Sequence, residues 1–272
     1  MPSLAEFLPV LFRVWSMNAA LDIGRYLIAA FGMALILKLF WRAGLARRKI
    51  QAREATGADR RREIATSLRT ALIFSVTGVL IFLGAVSGVL TVYRRIGPHG
   101  IPYLVLSVIG LILAHDTYFY WTHRMMHHPK LFRWFHRTHH RSITPTPFTA
   151  YAFDVPEAIV QSLIVPLWLL AVPMHTFGLF LFMAFMIVRN VMGHAGVELF
   201  PRAVADSRWF GWLNATTHHD LHHSSFRYNY GLYFTWWDRL MGTEHPQYRT
   251  VLRGRPDPAL PAGAYIPAGT SD

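Results

Sequence analysis

The chain has no cysteine among its 272 residues. Disulfides, iron–sulfur clusters and thiolate-held metals are therefore excluded, and any metal must be held through nitrogen and oxygen. Charge is scarce as well. Asp, Glu, Lys and Arg make up 15% of the residues, where a soluble domain of this size carries about 25%. Hydrophobic residues reach 53% and the mean hydropathy is +0.25. Lysine is nearly missing: three lysines stand beside 24 arginines, a bias that suggests a GC-rich genome and hence a bacterial inner membrane. No dinucleotide fingerprint or haem motif is present. No basic n-region precedes a short apolar core with a small-residue cleavage site, so the first spanning helix is expected to act as its own signal.

The apolar residues come in long blocks, which predicts an all-α, polytopic membrane bundle of four to five spanning or re-entrant helices. It is read as a single membrane-embedded domain over residues 1–272, with a catalytic core over 101–245 and an extended tail over 246–272. The net charge of +12 invites a nucleic-acid reading. The basic residues, however, flank apolar blocks instead of forming a free basic face, so no nucleic-acid partner is expected.

In chain order, Met1–Asn18 is aromatic and apolar and reads as a short interfacial helix. Ala19–Trp41 is a span, with Asp22 and Arg25 near its outer end. Arg42–Arg69 carries nine arginines or lysines, which places that loop in the cytoplasm. Ala71–Tyr93 holds no charge and is long enough to cross. A turn with Gly97, Pro98 and Gly100 returns the chain through Ile101–Tyr120, ending in Tyr118, Phe119, Tyr120 and Trp121 at the interface. Glu157–Ala171 and Thr176–Val188 form an apolar hairpin around Val172–His175. Leu199–Asn214 reads as interfacial, and Tyr233–Met241 as helical.

What the chain has in plenty is histidine. Six of the fifteen fall in Trp121–Arg141 and four more in Thr217–Ser225. His123 and His127 are spaced one helical turn apart. His136, His139 and His140 have the i, i+3, i+4 spacing that puts three imidazoles on one face, and His219, His222 and His223 repeat it. Neutral imidazole is the commonest metal-binding side chain, and these are too many for one ion, so a two-metal site is the natural reading. The topology gathers all of them, with His194, on the cytoplasmic side as a histidine-rich helical cap. His115, His128 and His218 are additional or outer members of the set. His99, His175 and His245 read as structural. Asp116, Asp154, Glu157, Glu198, Asp220 and Asp238 are candidates to orient ligand histidines through the second ring nitrogen.

Spacing does not choose the metal. Location favours redox iron that activates O2 over hydrolysis, because a site beneath a lipid-filled cavity lacks an aqueous route for polar substrates. A zinc-dependent membrane hydrolase, with Glu157 or Asp220 as general base, and a non-catalytic metal-binding membrane protein are the alternatives. The latter would need ionisable groups deep in several spans.

The pattern HxxxH, HxxHH and a last HxxHH, at His123–His127, His136–His139–His140 and His219–His222–His223, resembles the fatty acid hydroxylase and sterol desaturase superfamily of membrane di-iron oxygenases. YWTHRMMHH, HRTHH followed by PTPFTAYAF, and HHDLHH followed by NYG and WDRLMG resemble its sterol C5-desaturases, the lathosterol oxidases. The likeness runs over residues 109–244. His194-Ala195-Gly196 resembles that subgroup's HDG, with alanine for aspartate. Tyr151 and Asp154 depart from its SHAFHP, where a histidine follows PTPF-x-A. The resemblance implies two iron ions, O2 as co-substrate, and hydroxylation or desaturation of a fatty acyl, sterol or isoprenoid lipid. It also implies electrons from an external carrier, a reductase with a cytochrome b5-like protein or a ferredoxin. Arg42–Arg62 and Arg133–Arg141 could steer such an acidic partner.

Overall fold

The computed structural model describes residues 4–97, 99–205 and 207–253. The expected extended tail lies outside these from residue 254 onward, as do Met1–Ser3. Within them the architecture is helical, as expected, apart from one pair of two-residue strands. Helix α1 runs unbroken over Leu4–Phe40, so the separate interfacial helix expected before Asn18 does not exist. No glycine or proline interrupts Phe12–Phe40 except Gly24 and Gly32, and nothing in the sequence stops the helix at the membrane boundary. Asp22 and Arg25 therefore sit well inside a long helix, not near an end.

Helix α2, Gly57–Val86, starts on a reciprocal cap. Asp59 N–H donates to Thr56 Oγ1 at 3.1 Å, and Thr56 N–H donates to Asp59 Oδ2 at 3.0 Å, so two orphan amides are satisfied. Helix α3, Gly100–Met126, carries on past the expected end at Tyr120 and takes His123 with it. Three short helices form the cap and re-entry: α4 (Pro129–Phe135), α5 (Arg137–His140) and α6 (Val155–Ser162). Helix α7, Ile164–Leu169, continues α6 after a break at Leu163, and α8, Thr176–Gly193, returns.

Between α2 and α3, strand β1 (Val92–Tyr93) pairs in parallel with β2 (Met174–His175), which precedes α8. That pairing ties the α7–α8 turn to the α2–α3 turn, at the end of the bundle opposite the histidines. The α6–α7 leg thus reaches the depth of the true spans although only α1, α2, α3 and α8 are long and apolar enough to cross alone. Ile28 on α1 is 77% exposed, Leu106 on α3 65% and Phe180 on α8 63%. A belt of this kind in water would mark an aggregation surface. In a bilayer it is the lipid-facing wall, and the helices satisfy their own backbone groups there.

The interior packs Tyr26 and Ala30 of α1 with Phe148, Tyr151, Ala158, Ile187 and Val191. Buried Glu63 of α2 accepts from Ser142 Oγ at 2.7 Å and from Thr146 Oγ1. Tyr26 Oη and Ser67 Oγ both donate to the Phe148 carbonyl at 3.0 Å. These bonds clamp the proline-rich segment after α5 onto α1 and α2.

At the C-terminal side, α9 (Arg202–Ala205) lies in the stretch read as interfacial, and α10 spans Thr216–Ser225. Helix α11 is only Trp236–Leu240, shorter than the expected Tyr233–Met241. The amides of Tyr233 and Phe234 are taken instead by Asp116 Oδ1, at 2.7 and 3.3 Å, and Leu213 bridges Phe234. A short α12, Tyr248–Leu252, stands where an extended tail was expected to begin.

Candidate metal centre

The last turn of α3 carries His123, and His127 caps that helix, its N–H donating to the His123 carbonyl at 3.1 Å. Pro129 then opens α4. His136 is the joint between α4 and α5, at φ −140 and ψ −1. Helix α5 is held at its start by Asp154, which accepts from Thr138 N–H at 2.8 Å and from its hydroxyl. His194 ends α8. Helix α10 begins where Glu198 accepts from Thr217 N–H at 2.8 Å and ends at Phe226 in the left-handed region, φ 63.

These elements bring nine histidines together in two groups. One holds His123, His127, His136, His140 and His222; the other holds His139, His194, His219 and His223. Within each group one nitrogen per ring lies within 4.8 Å of all the others. Nitrogens bound to a common transition metal at about 2.1 Å can be no more than roughly 4.2 Å apart, so only a few tenths of an ångström of contraction separates each group from a ligand shell.

The grouping departs from the one-face reading of each HxxHH. In α5, His140 goes to the first group and His139 to the second. In α10, His222 goes to the first, and His219 and His223 to the second. Consecutive residues on a helix point about 100° apart, so each short helix stands between the two groups and feeds both.

The hydrogen bonds fix the tautomers. His123 Nδ1 lies 2.8 Å from the Tyr230 carbonyl, His222 Nδ1 2.6 Å from that of Tyr228, and His194 Nδ1 2.8 Å from that of Asn190. A carbonyl only accepts, so these Nδ1 atoms carry the hydrogen and the Nε2 lone pairs face inward. Inside the groups the Nε2 atoms crowd. His123 and His136 approach to 2.9 Å, and His140 lies 3.1 Å from His127 and 3.0 Å from His222. His194 lies 2.9 Å from His219 and 3.3 Å from His139. One proton cannot satisfy several converging lone pairs, whereas a cation at their centre can. Both groups therefore fit a metal ion.

Electrostatics agree. Burial, then mutual repulsion among neighbours, holds His127, His136, His139, His140, His219 and His223 well below the ordinary histidine range. His222 is held there by the same causes, and His194 is lowered to about 4, mainly by burial. The neutral, ligating form is the one this pocket keeps.

Around the groups, Glu157 Oε1 lies 2.7 Å from His136 Nδ1, both side chains being 1% exposed. Of the acids named from sequence, only this one touches a grouped histidine. Asp238 accepts from the Tyr230 and Gly231 amides, both at 2.8 Å, and lies 3.4 Å from His218 Nε2. It thereby fixes the loop whose carbonyl holds His123. Asp220 accepts from Gln51 Nε2 at 2.8 Å, and Asp116 holds the Tyr233 segment. His115 Nδ1 pairs with Tyr233 Oη at 2.8 Å, and exposed His128 caps α4. These four, with His218, stand outside both groups. His99, His175 and His245 also lie apart, and His175 bonds the Arg94 carbonyl at 2.9 Å.

Beneath the groups lies a cavity of about 890 Å³ lined mostly by apolar side chains of α1, α2, α3, α6, α7 and α8. Its histidine-side wall includes Phe119, whose ring is 4.9 Å from that of His123, and Phe153, 5.4 Å from His139. It extends along α8 from Thr176 to Asn190, ~21 Å of helix at 1.5 Å per residue, and falls in the size range of small-molecule pockets. Sequence reasoning had no sign of α1's part in this wall, because an amphipathic stripe is invisible on a helix that is apolar all round.

A family model described as fatty acid hydroxylase matches residues 108–243, half of the chain. A Delta(7)-sterol 5(6)-desaturase of Aspergillus fumigatus is 33% identical over 215 residues, 74% of this chain and 64% of that protein. The lathosterol oxidase of Rattus norvegicus is 33% identical over 191 residues (68% and 61%), and that of Homo sapiens 31% over 185 (67% and 60%). The chain thus spans under two thirds of the length of these relatives. No solved structure matches it. With four apolar spans, two histidine groups and a family model over the segment that carries them, this integral membrane protein belongs to the fatty acid hydroxylase family.

Proposed function

We propose that the protein is a non-haem di-iron oxygenase that hydroxylates or desaturates a C–H bond of a fatty acyl, sterol or isoprenoid lipid. The observation that carries this reading is the pair of convergent, thiolate-free histidine groups at the head of a largely apolar cavity inside a membrane bundle. His123, His127, His136, His140 and His222 would hold one iron, and His139, His194, His219 and His223 the other. Two irons bound there would supply the reduction of O2 and the removal of hydrogen from carbon.

The chain's own residues set the conditions. Glu157 orients His136, the carbonyls of Tyr228, Tyr230 and Asn190 fix three further rings, and Phe119 and Phe153 keep water from the cavity side. The nitrogen shell is neutral and favours an oxidising iron. Electrons come from an external carrier, a reductase with a cytochrome b5-like protein or a ferredoxin. Exposed Arg133, Arg137 and Arg141 stand at the same end as the histidines and suit an acidic docking face. The arginine-rich segment after α1 supports a cytoplasmic position for that end.

The test is metal analysis of protein from iron-replete cells, joined to comparative lipid mass spectrometry of cells with and without the gene. The expected result is a pair of irons per chain and a lipid gaining oxygen or losing two hydrogens only when the gene is present. Stoichiometric zinc with hydrolytic activity, or unchanged lipids with protein present, would overturn the proposal.

A further inference from the structure

The cavity wall is not uniformly apolar. Gln161, one turn after Glu157 on α6, is 8% exposed, lines the cavity, and has no hydrogen-bond partner for either amide atom among the described residues. On the α1 wall of the same cavity, Asp22 and Arg25 form an ion pair, and Arg25 Nε is buried without a partner. The two sides lie at similar depth. Ser162, next to Gln161, bonds Thr77 at 2.8 Å, and the neighbouring Gly78 packs against Asn18, one turn from Asp22. Leaving such groups unpaired in a membrane interior is costly.

We infer that Gln161, Asp22 and Arg25 form a head-group site for a neutral, hydroxyl-bearing lipid. A hydroxyl both donates and accepts, so hydroxyl groups held in the cavity can satisfy the unpartnered Gln161 amide and the Arg25 Nε–H. A carboxylate or phosphate head fits poorly, because Asp22 already neutralises Arg25 and the added charge would face that carboxylate at low dielectric. The site draws on α1, outside the segment matched by the family model, and is a property of this chain's own cavity. It rests on the oxygenase reading only for its purpose. Gln161 lies one helical turn, ~6 Å of rise, from Glu157, so the carbon presented to the histidine groups is near the hydroxyl end of the lipid, not its far tip.

The test is native mass spectrometry of the purified full-length protein offered equimolar octadecan-1-ol, octadecyl methyl ether and octadecanoate, and separately lathosterol with its 3-methyl ether. The alcohol should outcompete ether and carboxylate at least tenfold, as for a site built to hydrogen-bond a hydroxyl. In Gln161→Leu, and in Asp22→Asn, the alcohol-to-ether ratio should fall towards one while lipid still binds. Equal binding of alcohol and ether in the native protein, preference for octadecanoate, ratios unmoved by both substitutions, or no lipid bound would each overturn the proposal. The native-protein ratio needs no variant to fold. Because no turnover is read, a retained alcohol preference in a protein that fails the lipid assay would sink the oxygenase reading and leave the head-group site standing.

Discussion

Replacing His127 and His194, one at a time, tests whether the two histidine groups act as separate metal sites. Among the grouped histidines, the His127 ring meets members of the first group: His123 at 5.0 Å between centroids, His136 at 4.8 Å, and His140 and His222 at 4.7 Å. His194 meets only members of the second: His139 and His223 at 5.1 Å and His219 at 4.4 Å. Losing an outer partner of a metal ligand lowers affinity about 10–100-fold. Loss of a ligand itself should exceed roughly 100-fold, or about 2.8 kcal/mol at 1.4 per decade. Each alanine variant, washed with a chelator that leaves the native protein loaded, should therefore fall from a pair of ions to a single one by plasma mass spectrometry, and both should lose turnover. If either variant keeps the pair, or both lose all metal while gel filtration and circular dichroism show intact protein, the two-site partition is wrong.

Glu157→Gln should weaken metal at the first group 10–100-fold and leave the second unchanged in a metal titration; equal loss at both would show that Glu157 does not act through His136. Tyr26 Oη and Ser67 Oγ both donate to the buried Phe148 carbonyl, so Tyr26→Phe and Ser67→Ala should each cost about 0.5–1.5 kcal/mol. Thermal unfolding in detergent reads this, and melting temperatures unchanged in both variants would refute it. At Gly231 an added Cβ would lie 2.6 Å from the Phe234 carbonyl oxygen and 2.9 Å from Asp238 Oδ2. Gly231→Ala should thus cost about 1–3 kcal/mol and lower metal retention, since the loop carries the carbonyl that holds His123; an unchanged melting temperature would count against that link.

Much of the fold and the grouping of histidines was legible because both depend on short-range pattern. Long apolar blocks set the spans, and i, i+3, i+4 spacing marked the three clusters. His194, solitary in sequence, was placed by topology alone. Partition between the groups was not legible: whether His139 or His140 joins a given group depends on how α5 is wedged between α3 and α10. The Asp116 hold on Tyr233 is a pairing across 117 positions, which no local pattern encodes, and it cost α11 its expected first turn. The cavity polar groups were hidden for the same reason. Asp22 and Arg25 read as end-of-span charges until α1 proved continuous, and Gln161 lies within the stretch Glu157–Ala171 read as one leg of an apolar hairpin.

The two-residue pairing of Val92–Tyr93 with Met174–His175 has a consequence for traffic. It holds the α2–α3 and α7–α8 turns together at the end of the bundle away from the histidines. Leu21 and Ile28 of α1 and Phe180 and Val188 of α8 are all exposed and all border the cavity, which gives a lipid a flank facing the bilayer by which to enter. On the proposed function a product would leave by the same flank, so the acyl chains around the protein would set the concentration it works against.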